Sequence, residues 1–183
     1  MQEINIKMAT LLYLVRHGET LDNARRIMQG QTPGQLNETG ILQAKEIAQK
    51  LAHEKIDVFV SSDLLRSLHT CKIIAAEHGV QKVVTTPLLR ERDWGAFTGK
   101  YIPHLANLND PSLWPDDVES IEALKDRAED FLTWVKERFP NKTVLAVGHG
   151  IINKAIQSVF YDKPMKEIPP MMNCEARKLS PLN

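Results

Sequence analysis

Cysteine is scarce in this chain of 183 residues, which has only Cys71 and Cys174. Two thiols cannot build the disulfide framework that staples small secreted domains. Cys71 shares the apolar side of a helical pattern with Leu64, Leu68 and Ile74, which predicts a buried free thiol. Neither sign of charge is in excess: lysine plus arginine, and aspartate plus glutamate, number 23 each. That balance carries no footprint of nucleic-acid or acidic-membrane binding. No apolar stretch approaches the roughly 20 residues of a membrane span. The start, MQEINIK, lacks a signal-peptide pattern, and Met8 just before the first strand suggests a short extension. The six histidines form no HExxH-like metal pattern, and repeats, low-complexity tracts and a P-loop are missing. Together these absences lead us to expect one cytoplasmic domain, 1–183, that needs no metal and no cofactor.

What is present begins with LVRHGET at 14–20. The run before it, Thr10 to Val15, is continuously apolar after its first residue, as in a strand covered on both faces. A second run, Val58-Phe59-Val60, leads into SSDLLRSLHT at 61–70, and a third, Thr143 to Val147, into GHG at 148–150. Between them lie amphipathic helical patterns. One is Ile41, Ala44, Ile47, Ala48 and Leu51, with Asn37 as N-cap. Another is Ile121, Leu124, Ala128, Phe131, Leu132 and Val135, closed by Pro140. Strands alternating with helices imply an α/β fold with a mostly parallel central sheet. Ligands of such sheets bind at the C-terminal ends of the strands. Arg16, His17, Ser61, Ser62, Arg66 and His149 should therefore converge, although they are far apart in sequence.

That convergence suits chemistry on phosphate. Arg16 offers a planar, permanently charged fork for phosphate oxygens. His17 can attack phosphorus through a neutral ring nitrogen, because cationic neighbours disfavour its protonation. A phosphoryl group in transfer spreads negative charge over its equatorial oxygens, so positioned cations contribute most of the catalysis. Arg16, Arg66 and a hydrogen-bond-donating His149 supply such groups without a metal.

LVRHGET with Asn23, SSDLLR, LLRE at 88–91 and VGHG at 147–150 occur in that order. Over roughly residues 10–180 the chain resembles the histidine phosphatase superfamily, also called phosphoglycerate mutase-like. The resemblance implies a three-layer sandwich with helices on both faces of the sheet. It places the phosphohistidine on His17 and the phosphate-binding arginines on Arg16 and Arg66. The second histidine falls on His149 and the proton donor on Glu91. Asn23 matches a phosphate-contacting position, and Gln29, Gly30 and Gly150 belong to the substrate-binding expectation.

The chain also departs from the family pattern. After Gln29-Gly30, Pro33 stands in an aspartate place and Gln35 in a proline place. Thr98 replaces a glutamate before Gly99. The last edge strand is expected at Asn173–Leu179. The segment 101–120 is expected to form a lid, because it carries prolines and little periodicity. From Asp110 to Glu122 it holds five carboxylates and no lysine or arginine, which argues against a second anionic group on the substrate. Trp94, Phe97, Tyr101, Leu105 and Trp114 suggest either an apolar wall or packing of the lid on the sheet. Arg25 and Arg26 are read as solvent-facing, and Arg92 as a cation that could serve a second anion. The expected function is metal-independent hydrolysis of small phosphomonoesters, with no nucleic-acid or membrane partner. The alternatives are phosphoglycerate mutase-type transfer and a non-catalytic phosphate-binding or scaffold role.

Overall fold

The computed structural model describes residues 9–105 and 110–182. The proposed N-terminal extension at 1–8, and residues 106–109 of the proposed lid, lie outside the described residues. Five strands carry the fold: β1 (Thr10–Arg16), β2 (Val58–Ser62), β3 (Val84–Thr86), β4 (Thr143–Gly148) and β5 (Ala176–Leu182). Their order in the sheet is β3-β2-β4-β1-β5. The first four are mutually parallel, and β5 runs antiparallel along the edge of β1. The helices are α1 (Leu21–Ala24), α2 (Glu38–Leu51), α3 (Leu65–Glu77), α4 (Ile121–Arg138) and α5 (Gly150–Tyr161).

Both faces of the sheet are buried, which explains the unbroken apolar run of β1. Leu12 and Leu14 pack with Val144 and Ala146 of β4 against Leu124, Phe131 and Ile152 of α4 and α5. Tyr13 and Val15 point the other way, toward Ala44 and Ile47 of α2 and Cys71 and Ile74 of α3. Helices on both faces of a mostly parallel sheet make the three-layer sandwich expected from the sequence. Asn37 caps α2, its Oδ1 accepting from Gly40 N at 2.8 Å. α4 runs to Arg138, two residues before Pro140, whose ring disfavours helical geometry in the residue it follows.

The edge strand starts three residues later than expected. Residues 172–175 form a turn instead, closed by Glu175 N donating to the Met172 carbonyl at 3.0 Å. Cys174 takes a left-handed φ of 55° in that turn, so pairing with β1 begins only at Ala176. No helix among the described residues is long and apolar enough to cross a membrane.

Candidate active site

The parallel strands deliver their functional residues to one edge of the sheet. Arg16 is the last residue of β1, and His17 follows it. His149 lies between β4 and α5, as the N-cap of that helix. Arg66 stands in the first turn of α3, and Glu91 in the segment after β3. Backbone contacts tie these pieces together. His17 N donates to the Gly148 carbonyl at 3.1 Å, and Gly18 N to Thr70 Oγ1 at 3.1 Å. Ser67 Oγ donates to the Val147 carbonyl at 2.8 Å, fixing α3 against β4.

The loop after His17 and the start of α2 touch through two glycines. A Cβ on Gly40 would lie 2.0 Å from the Glu19 carbonyl oxygen, and one on Gly18 would lie 2.4 Å from the Gly40 carbonyl oxygen. Only hydrogen side chains allow the two backbones to approach this closely.

His17 is buried, and its Nδ1 lies 2.7 Å from the Gly18 carbonyl oxygen. A carbonyl can only accept, so Nδ1 carries the proton and Nε2 keeps its lone pair. Arg66 Nε donates toward that Nε2 at 3.3 Å. Burial first, then the nearby Arg66 charge, holds His17 well below the usual histidine range, with Arg16 adding to the effect. The Gly18 hydrogen bond opposes this shift without reversing it.

His149 packs edge-on against His17, with ring centroids 5.0 Å apart. Burial, then Arg66 and His17, push it well below its ordinary value too. Neither of its ring nitrogens has a partner, and the same is true of the buried Arg16 Nε. Buried polar atoms are nearly always paired in folded proteins, so three orphans at one spot mark a place built for an incoming polar group.

Arg66 is held by the loop that departs from the family pattern. Its guanidinium donates to the carbonyls of Gly30 at 2.8 Å and of Thr32. Gly34, at φ +65°, passes so near that a Cβ there would lie 2.8 Å from Arg66 Cδ. The loop thus acts through backbone carbonyls, and Pro33 and Gln35 leave that cradle intact. Thr98 backs the same loop, its Oγ1 only 2.8 Å from where a Gly30 Cβ would stand. Burial draws Arg66 down to about 10, so it stays a cation at neutral pH. Arg16 donates to the Met171 carbonyl at 2.6 Å.

Glu91 accepts at the N-terminus of α5. Ile151 N and Ile152 N donate to its Oε1 at 3.1 Å each, and Arg92 N donates at 2.9 Å. The carboxylate is therefore fixed against the helix that follows His149. Arg127 steadies the segment from behind, donating to the Leu88 and Arg90 carbonyls and pairing with Glu119 at 2.7 Å.

A pocket of about 440 Å³ opens over these groups. Arg16, His17, Arg66, Glu91, Asn23 and Gln29 form its polar side, with Gly30 and Gly150 beside them. His149 is fully buried against the His17 ring and is not one of the residues that line the pocket. Asn23 Oδ1 is engaged by Thr20 N at 3.2 Å, and Gln29 Oε1 by Thr20 Oγ1 at 3.0 Å. Ser61 and Ser62 do not join the site. Both are fully buried and occupied locally, Ser61 Oγ donating to the Ser62 carbonyl and Ser62 Oγ accepting from Leu64 N. Among the described residues, no three His, Cys, Asp or Glu side chains gather as metal ligands.

Several specificity expectations need correction. Arg92 is buried, with its guanidinium carbon 4.7 Å and 4.3 Å from the Trp94 and Trp114 ring centres. It donates to the Glu119 carbonyl, so it braces the 93–119 segment and does not serve the pocket. Of the five apolar residues singled out, only Trp94 lines the pocket; Phe97, Leu105 and Trp114 pack around it. None of the acidic residues from Asp110 to Glu122 faces the pocket. Asp110 caps a turn at Ser112, and Glu119 is paired with Arg127. The sequence reading also missed Lys154 and the apolar lining of Ile27, Met28, Ile151 and Met171. Lys154 was legible in principle, being four residues after Gly150 and so on the same helical face.

The chain is 36% identical over 160 residues to the metal-independent phosphoserine phosphatase of Arabidopsis thaliana, covering 80% of this chain and 67% of that protein. Among solved structures, Bacillus stearothermophilus YhfR matches with a TM-score of 0.84 at 28% identity, covering 93% of this chain and 90% of that one. Phosphoserine phosphatase from Entamoeba histolytica, solved with 3-phosphoglyceric acid, matches with a TM-score of 0.79 at 29% identity, covering 92% and 89%. The model of the histidine phosphatase superfamily (branch 1) matches residues 12–181, and the chain belongs to that family.

Proposed function

We propose that this protein hydrolyses small phosphomonoesters through a phosphohistidine on His17, without a metal. The observation that carries the proposal is the His17 ring, with its proton held on Nδ1 and its Nε2 lone pair 3.3 Å from Arg66 Nε. Substrate phosphate oxygens take over the donors of Arg16 and Arg66, while His149, packed edge-on against His17, acts on that ring from beside it. The Nε2 lone pair forms the N–P bond as the ester P–O bond breaks. Glu91 gives its proton to the departing alkoxide. A water then attacks phosphorus and returns a proton to Glu91, and the breaking P–N bond restores neutral His17. Two arginines neutralise the developing phosphoryl charge, the part a metal plays elsewhere.

Turnover of nitrophenyl phosphate and a panel of alkyl phosphates, with and without chelator, tests this. Hydrolysis unaffected by the chelator is expected. No turnover on any ester would overturn the phosphatase function, and loss with chelator would overturn metal independence. Phosphoglycerate mutase-type transfer is the second reading, favoured by a further cation, Lys154, in the same pocket. Labelled phosphoglycerate separates the two by its products: free phosphate for a hydrolase, an isomeric ester for a mutase.

A further inference from the structure

Lys154 is the one pocket cation with no protein partner among the described residues. Arg16 and Arg66 are tied to backbone carbonyls and stand beside His17. Lys154 is half-buried in α5, one turn beyond Gly150. That turn carries its backbone about 6 Å along the helix axis from the catalytic end. Gly150 marks that end, because a Cβ there would lie 3.7 Å from both Arg16 Cζ and Glu91 Oε2. The pocket that Lys154 lines is also walled by the apolar Ile151, Pro170 and Met171. A half-buried cation is screened by less water than a fully exposed lysine, so an anion placed beside it is attracted more strongly.

Resting on the phosphatase function proposed above, we infer that Lys154 is a specificity-determining residue that binds a carboxylate on the leaving-group side of the substrate. The substrate class is then a compact phosphomonoester whose alcohol portion carries a carboxylate within one helical turn of the phosphate. One lysine matches one negative charge. A second phosphate would demand more, and the arginines that could supply it are elsewhere. Arg25 and Arg26 are exposed and off the pocket, and Arg92 is buried between two tryptophans.

The test is a selectivity ratio: kcat/KM for phosphoserine over phosphoethanolamine, and for 3-phosphoglycerate over glycerol phosphate. Each pair differs by the carboxylate. The wild-type protein should favour the carboxylated member of both pairs. Lys154→Met should lower both ratios by roughly 10- to 100-fold, mostly through KM, the usual scale for a charge-assisted hydrogen bond. Lys154→Arg should restore most of the preference, and Lys154→Glu should invert it. A wild-type ratio near one, or ratios unchanged in Lys154→Met, would overturn the inference while leaving the phosphatase function standing. Absence of turnover on all four esters and on nitrophenyl phosphate would instead remove the phosphatase function, and the inference with it.

Discussion

His17 needs no base to become a nucleophile, because its environment already keeps Nε2 unprotonated. His17→Ala should therefore cost at least about a thousandfold in kcat, the scale of losing a covalent nucleophile. Rapid quenching with labelled ester should place phosphate on His17 in the wild-type protein; near-normal turnover in the variant would exclude the covalent path. Glu91 has a different signature. Glu91→Gln keeps the shape of the side chain but has no carboxyl proton to give. Alkyl phosphates should slow by about 10²–10⁴-fold, the range of general acid catalysis, and nitrophenyl phosphate much less. Equal losses on both would point to positioning of the α5 amides that Glu91 accepts from. At this scale the motifs spoke clearly: Arg16, His17, Arg66 and Glu91 all meet at one pocket. Arg92 was misread and Lys154 was overlooked because a single charged residue carries no periodic signal. Only tertiary contact separates an arginine sandwiched by tryptophans from a lysine left unpaired.

Elements position these residues by close approach. α2 meets the loop after His17 at Gly18 and Gly40. In an exposed helix interior, Gly→Ala stabilises by about 1 kcal/mol. Gly40→Ala should do the reverse here and destabilise by about 1–3 kcal/mol, the usual cost of overpacking, because a backbone carbonyl must move. Urea denaturation measures this, and a shift toward greater stability would show that the loop can yield. Turnover should fall as well, since the displaced loop carries the Gly18 carbonyl that fixes the His17 tautomer. Strands and long helices were readable from the sequence because burial on one or two faces imprints a period. The late start of β5 was not, because the turn before it depends on a left-handed Cys174 and on the Glu175 side chain accepting from Met172 N at 2.7 Å. The loop at 30–34 was equally opaque, since it acts on Arg66 through carbonyls that every residue possesses.

For the whole molecule, the two buried histidines set a dependence on pH. Both have folded values well below the usual 6.5, mainly through burial. Below about pH 6.5 the unfolded chain takes up protons that the folded chain refuses. The unfolded state then binds more protons, so folding stability is fully present above this range and falls as the pH drops toward the depressed folded values. Each histidine contributes a slope of at most about 1.4 kcal/mol per pH unit. Thermal melts from pH 8 to pH 5 should show this decline, and His149→Asn should flatten it. An unchanged slope in that variant would mean His149 is charged in the folded protein. Substrate phosphate should protect against the same acid loss, because an anion beside His17 makes its protonated form less costly.

The order of strands in the sheet has a consequence for the protein's birth. β1 lies between β4 and β5, the last two of the five described strands in chain order. β1 must therefore wait until residues 143–182 have been made before its neighbours exist. Its backbone donors, and the Leu12 and Leu14 side chains that pack on β4, α4 and α5, lack those native partners during that interval. Such a segment is a template for pairing between nascent chains. Folding of this protein in the cell should depend on chaperone capacity and on translation speed more than on its equilibrium stability.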